Sequence, residues 1–168
     1  MIDKGFVTTM ARYNAWQNEN LYGAAATLDD AARRQERGAF FGSIHGTFCH
    51  LLWADRMWLS RFAGTPKPTV PGSDSARMIA GWDELAAERL LTDRAIADWA
   101  QGVDPAWLAG DFSWVSGISR RELTRPAAQL VMHFFNHQTH HRGQVHAMLT
   151  AAGARPGDTD LMLIDLRA

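Results

Sequence analysis

The sequence is short of several features that would make a function easy to assign. Cysteine is nearly absent: Cys49 is alone among 168 residues. No intramolecular disulfide can form, so nothing points to an oxidising compartment. Set between Phe48 and His50, Cys49 is expected to be a buried packing residue. A redox role, or one beside a metal, is the lesser reading. Long apolar runs are missing too, and none approaches the length of a membrane span. The opening Met-Ile-Asp-Lys-Gly-Phe has no basic start followed by an apolar stretch. That argues against a signal peptide, and the expected location is the cytoplasm. Neither sign of charge is in excess: 17 Lys and Arg face 18 Asp and Glu, for a formal net charge of −1. No overall field recruits nucleic acid or an anionic membrane. The pairs Arg33-Arg34 and Arg120-Arg121 are too short to form a basic patch.

What is present is the balance of a globular domain, with 46% hydrophobic and 21% charged residues. One domain over residues 1–168 is expected, long enough to bury a real core. There are seven Trp, seven Met and seven His. The histidines are the informative excess, because four of them fall between His133 and His141.

Apolar spacing predicts four long helices. Phe6, Met10, Tyr13, Trp16 or Gln17, and Leu21 recur at helical intervals from about Asp3 to Leu28, with Asp3 as N-cap. Asp29 to Gly42 reads as a linker able to hold a short turn. Ser43 caps a second helix to about Phe62, whose face carries Ile44, Phe48, Leu51, Leu52, Asp55 and Leu59. Gly64 ends it, and Pro66, Pro68 and Pro71 forbid continuation. Ser73, Asp74 or Ser75 would cap a third helix to about Ala100, striped by Ile79, Trp82, Leu85, Ala86, Leu90 and Ile96. Gly102 to Pro126 alternates weakly around Ser116-Gly117, as a short hairpin or an irregular excursion would. Pro126 suits the first turn of a fourth helix, which runs from about Ala127 to Ala152 and is closed by Gly153. The tail, Pro156 to Ala168, carries Leu161, Met162, Leu163, Ile164 and Leu166, and is expected to pack back onto the bundle or onto a partner chain. The fold class is all-α, a four-helix bundle with that excursion before the last helix.

The chemistry concentrates in His133-Phe-Phe-Asn-His137-Gln-Thr-His140-His141-Arg-Gly-Gln-Val-His146. Residues four apart share a helix face, so two imidazoles at that spacing reach one ion. His137 with His141 fits, and so does His133 with His137; His137 with His140 is looser. A third ligand must come from a facing helix. His50 is the best candidate, because it lies mid-helix among Phe48, Leu51, Leu52 and Trp53, where an unpaired imidazole would be wasteful. His45, near the helix start, is expected to be exposed. Each histidine taken alone is more often a hydrogen-bonded core residue than a ligand.

Several known sites are excluded. Gln138 follows His137, so the Glu base of His-Glu-x-x-His proteases is missing. The Glu-x-x-His pattern of di-iron bundles and any Cys-x-x-Cys are missing as well. Imidazole-only ligation suits Zn, Ni, Cu or Fe(II) rather than Mg or Ca. Three protein ligands leave a position for water or substrate.

His50-Leu-Leu-Trp-Ala-Asp-Arg-Met-Trp-Leu and Asn136-His137-Gln-Thr-His-His141-Arg-Gly-Gln-Val resemble the corresponding helices of the DinB/YfiT-like metalloenzyme family, the damage-inducible DinB proteins and not the DNA polymerase of that name. The resemblance spans essentially the whole chain, including Tyr13-Asn14-Ala15-Trp16 and the Gly153 turn. It implies a four-helix bundle, frequently dimeric, with zinc or nickel at His50, His137 and His141. It selects His137 with His141 among the pairs that spacing leaves open. It leaves His133 beside the pocket and His140 pointing outward or to a partner. The wider superfamily includes thiol-dependent S-transferases and a mycothiol-dependent maleylpyruvate isomerase, but nothing in these residues identifies a thiol-cofactor pocket.

Two readings follow. In the first, the protein is a divalent-metal-dependent enzyme, a transferase or hydrolase acting on a small molecule. Asp55 and Gln144 would then orient the ligands, or Asp55 would only pair with a surface arginine; Arg142 or the excursion's arginines would hold a carboxylate, although such arginines more often lie at the surface. In the second, it is a non-catalytic metal-binding stress-response protein whose metal only stabilises the fold. A homodimer is expected in either case, using Leu161 to Leu166 and the Trp-rich surface.

Overall fold

A computed structural model describes residues 2–117 and 119–164 of the chain. Four long helices dominate: α1 (Lys4–Ala26), α3 (Ile44–Phe62), α4 (Trp82–Gly102) and α6 (Ala127–Ala151). Between them lie short α2 (Asp30–Arg34) and α5 (Pro105–Ala109), and strands β1 (Asp111–Val115) and β2 (Glu122–Pro126). In the ring of packed helices, α4 and α6 each touch both α1 and α3. The expected bundle is therefore what forms.

Two caps are as the sequence predicts. The Asp3 carboxylate accepts from the Phe6 N–H at 2.8 Å, and the Ser43 hydroxyl accepts from the Gly46 N–H at 3.0 Å. Each satisfies an otherwise orphaned backbone donor. Gly153, at φ 82°, follows the last turn of α6, a conformation that costs glycine nothing. The excursion is a hairpin pairing Asp111 with Pro126 through Val115 with Glu122. Its loop closes with the Ser116 N–H donating to the Arg121 carbonyl at 2.8 Å; Ile118 lies outside the described residues. Helix α5, inside this excursion, is not evident from the periodicity. Pro126 ends β2 and sits at the N-cap of α6 rather than in its first turn.

Helix α4 begins later than expected. Ser73, Asp74 and Ser75 do not cap it; they belong to a 3-10 turn, Gly72–Arg77, and Gly81 is the N-cap of α4. The reason lies across the bundle. Between the two elements the Ile79 carbonyl accepts from His45 Nε2 at 2.8 Å and from Cys49 at 3.4 Å. The segment Met78–Gly81 thus lies over the start of α3 instead of coiling. The same contact buries His45, which is 2% exposed, against the expectation that it is exposed. Cys49 is buried as expected, and burial raises its thiol pKa.

The inward faces also differ from the apolar stripes. In α1 the buried positions include Asn14, Gln17 and Asn18, while Phe6, Met10, Tyr13 and Trp16 are only partly covered. In α4 they include Arg89, Thr92 and Asp93, and Leu90 is 57% exposed. The buried face of α1 is turned by about one residue from the apolar reading, and in α4 polar residues join Leu85 and Ile96 on the buried face, because polar groups meet at the bundle centre. There Arg89 Nη1 donates to Asp55 at 2.7 Å, and Arg89 Nη2 lies 2.8 Å from Asp93. Asn14 and Asn18 each donate to Asp93 at 2.9 Å, and Gln138 donates to Asp55 at 3.0 Å. Arg142 donates to Asn14. Burial disfavours the Arg89 cation, but Asp93 and then Asp55 more than offset this, so it stays charged. One residue set from all four long helices is thereby locked in register.

Packed apolar clusters flank this polar layer. One holds Leu21, Phe48, Leu52, Leu85 and Leu149; the other holds Val7, Leu59, Ile96, Phe134 and Phe135. The tail is tied down in part: Tyr13 donates to the Thr159 carbonyl at 2.6 Å and Gln17 to that of Asp158 at 2.8 Å. Beyond that tether Leu161, Met162 and Leu163 are exposed, not packed onto the bundle, and Leu166 lies outside the described residues. Among the described residues, no helix is long and apolar enough to cross a membrane.

Candidate metal centre

His50 comes from the middle of α3, and His137 and His141 from one face of α6, a single turn apart. Their ligand atoms all lie within 4.8 Å of one another. His50 Nε2 and His137 Nε2 are 3.3 Å apart. Bonds of about 2.0–2.1 Å to a tetrahedral zinc ion separate two nitrogens by roughly 3.3 Å, so this pair already has the edge length of a tetrahedral site.

Two of the rings are held so that the right nitrogen faces the centre. Ser75 donates its hydroxyl hydrogen to the Gly72 carbonyl at 2.7 Å, so its oxygen accepts from His50 Nδ1 at 3.0 Å. His50 Nδ1 therefore carries the proton, and Nε2 keeps its lone pair. On α6, Gln144 Oε1 accepts from His141 Nδ1 at 2.8 Å, while its Nε2 donates to His140 at 3.2 Å. Hydrogen bonds of this kind set the tautomer and orientation of ligating imidazoles.

Electrostatics favour the neutral, ligating form. Burial, then the nearby His141, pushes His50 down to about 4. Burial and the clustered imidazoles, His141 first, push His137 down to about 3. Burial also lowers His141, although the Gln144 bond works against it. Three neutral imidazoles with converging lone pairs suit a borderline divalent cation and repel one another without it.

Aromatic rings enclose one side. Phe41 stacks on His50 with centroids 3.7 Å apart and planes at 18°, and lies 5.3 Å from His141. Trp53 lies 6.1 Å from His50 at 22°, and its Nε1 donates to the Val70 carbonyl at 2.9 Å. The Phe41 loop passes so close to α3 that a Cβ on Gly46 would sit 2.4 Å from the Phe41 carbonyl oxygen. Only glycine fits there without a shift.

The other sequence candidates separate cleanly. His133 is exposed, 5.9 Å from His137 and 5.3 Å from Trp58 by ring centroids. His140 is exposed, and neither it nor His133 joins the three-histidine group. Gln144 does orient a ring, as expected. Asp55 neither orients a ligand nor pairs with a surface arginine; it belongs to the buried layer with Arg89 and Gln138. Arg142 is buried against Asn14 and lies 5.6 Å from the Tyr13 ring centroid, so it is committed to the bundle. In this way Gln138 and Arg142, each directly after a clustered histidine, anchor α6. Ser75 and Phe41 escaped sequence reasoning as site residues. The glycines around Phe41, at 38, 42 and 46, were the one available signal that this loop is tightly constrained.

Comparison with known proteins agrees with the motifs. The family model described as the DinB family matches residues 1–166. Protein DinB of Bacillus subtilis (strain 168) is 24% identical over 170 residues, covering 92% of this chain and 91% of that protein. No solved structure matches the chain.

Proposed function

The chain belongs to the DinB family, and on that premise we propose that it is a divalent-metal-binding protein in which His50, His137 and His141 hold one ion, zinc or nickel, for a reaction on a small molecule. The observation that carries this is the convergence of three imidazoles held neutral, with His50 and His137 at a ligand-edge distance. When bound, such a metal supplies Lewis acidity and makes a coordinated thiol or water more acidic. The protein's own part is to orient and to shield. Ser75 and Gln144 keep the Nδ1 protons of His50 and His141, and Phe41 and Trp53 exclude water from the faces of the His50 ring. The polar layer fixes α6 in register with α3, which sets the distance between ligands on the two helices.

The finer reading is a thiol-dependent, S-transferase-like reaction, in which a small thiol is added to an electrophile; water in its place gives a hydrolase. A structural metal is the competing use of the same site. The group offers three protein ligands and no fourth among the described residues, which favours an open position over a closed structural site. The test is metal analysis of the purified protein alongside His50→Ala. Absence of stoichiometric metal in the wild type sinks the proposal. Loss of metal by the variant with an unchanged melting temperature removes the structural reading. A homodimer is part of the proposal, supported by exposed Met162 and Leu163 at 86% and 56%. Sedimentation equilibrium showing a monomer at micromolar concentration would remove it.

A further inference from the structure

Five arginines of this fold have an acid to answer them. Arg33 and Arg34 face Asp30, Arg56 faces Glu88, Arg77 faces Asp74, and Arg89 faces Asp55 and Asp93. Arg61 differs. It is half-buried in the last turn of α3, and no ion pair joins it to an acid among the described residues. Burial lowers its pKa, and no neighbouring carboxylate offsets that cost. A partly desolvated cation with no counter-ion is a standing cost unless something anionic arrives.

Its setting says what could arrive. The guanidinium lies over the Trp58 ring, 4.4 Å from the centroid. Stacking uses the face of the guanidinium and leaves its in-plane N–H donors pointing sideways. Trp58 in turn contacts His133 at 5.3 Å and Trp114 of β1 at 6.0 Å. His133 lies 5.9 Å from His137. A continuous series of rings thus connects Arg61 to the histidine centre. Along the helix axes, His133 is about 6 Å from His137 and Trp58 about 12 Å from His50.

We propose that Arg61, resting on Trp58 with His133 beside it, is the subsite for a carboxylate on the small molecule taken by the histidine centre. This rests on the reading that the centre serves a small molecule, but not on which metal it holds. A guanidinium fork matches a carboxylate with two parallel hydrogen bonds. One cation fits a monoanion better than a doubly charged phosphate. Trp58 and Trp114, 6.0 Å apart by ring centroids, suit a flat or apolar body attached to the carboxylate. The substrate class is therefore a monocarboxylate with an apolar or aromatic body.

The test titrates benzoate and its neutral isostere benzamide into metal-free and metal-loaded protein, following tryptophan fluorescence. Wild type should bind benzoate at least about tenfold more tightly than benzamide, the scale of a charge-assisted hydrogen bond. Arg61→Gln should erase that difference, Arg61→Lys should keep part of it, and Arg94→Gln, on the exposed side of α4, should leave it intact. Equal binding of both ligands by wild type, or unchanged benzoate binding by Arg61→Gln, overturns the proposal. So does inorganic phosphate displacing benzoate at lower concentration than acetate does. Arg61-dependent benzoate binding by a protein that takes up no metal would leave this subsite standing while the metal reading falls. Benzoate binding that needs the metal and ignores Arg61 would do the reverse.

Discussion

Lowering the pH from 7.5 to 6.0 should barely weaken metal binding by this protein. Imidazole must be neutral to ligate, so protons compete with the metal at every histidine. Three histidines at the ordinary value near 6.5 would each be mostly protonated at pH 6.0, and together they would lose about fiftyfold in apparent affinity over that interval. Here His50 sits at about 4 and His137 at about 3. Both stay neutral throughout, and neither contributes to the loss. His141 is also lowered. Even if it titrated at its ordinary value, the total loss would be about fourfold. The sign is fixed by the direction of the shifts: depressed folded-state values move proton competition to lower pH, so affinity falls steeply only as pH drops towards 4. The assay is competition with a chromophoric chelator whose own pH dependence is calibrated, run at pH 7.5, 6.0 and 5.0. A fiftyfold loss by pH 6.0 would refute the argument that burial holds these rings neutral.

Other outcomes follow from particular contacts. Removing a hydrogen bond that orients a ligand, by Ser75→Ala or Gln144→Ala, should weaken metal binding about 10- to 100-fold with an unchanged circular dichroism spectrum; unaltered affinity would show that packing alone holds the rings. Arg89→Met strands Asp55 and Asp93 in the bundle, and should cost about 3–5 kcal/mol, read as a fall of roughly 10 °C in the melting temperature. A much smaller change would mean that water reaches the pair. Gly46→Ala places a methyl against the Phe41 carbonyl and should cost about 1–3 kcal/mol. It should also shift the His50 ring resonances in the NMR spectrum by moving Phe41; a silent spectrum would place the strain elsewhere.

Much of the fold was legible in the sequence, for local reasons. Asp3, Ser43, Gly64 and Gly153 act on backbone groups within a few residues, so their effect can be read without knowing the neighbours. The four-residue offset of His137 and His141 is likewise a property of any α-helix. Reasoning failed where a residue answers to something distant. His45 looked exposed because it opens a helix, yet the Ile79 carbonyl covers it. Ser73 to Ser75 looked like a cap, yet Ser75 turns to His50. The faces of α1 and α4 were legible only in part: Leu21, Leu85 and Ile96 are buried as expected, but polar residues were assumed to point outward. Asn14, Asn18, Arg89 and Asp93 invert that rule by satisfying one another.

By itself, then, the sequence determined the number of the long helices and the bounds of all but the start of α4, the shared face of His137 and His141 on α6, and the chemistry that such ligands admit. Helical periodicity and imidazole coordination are short-range properties, and both travel with the residue string. Only the tertiary structure decided which α3 groups meet that pair, which nitrogen each oriented ring presents, and that Phe41 covers the site. It also placed Arg61 beside Trp58 and His133 with no acid paired to it among the described residues. Those outcomes depend on how four helices are turned against one another, and that rotation is set by a buried hydrogen-bond layer whose members lie up to 128 residues apart.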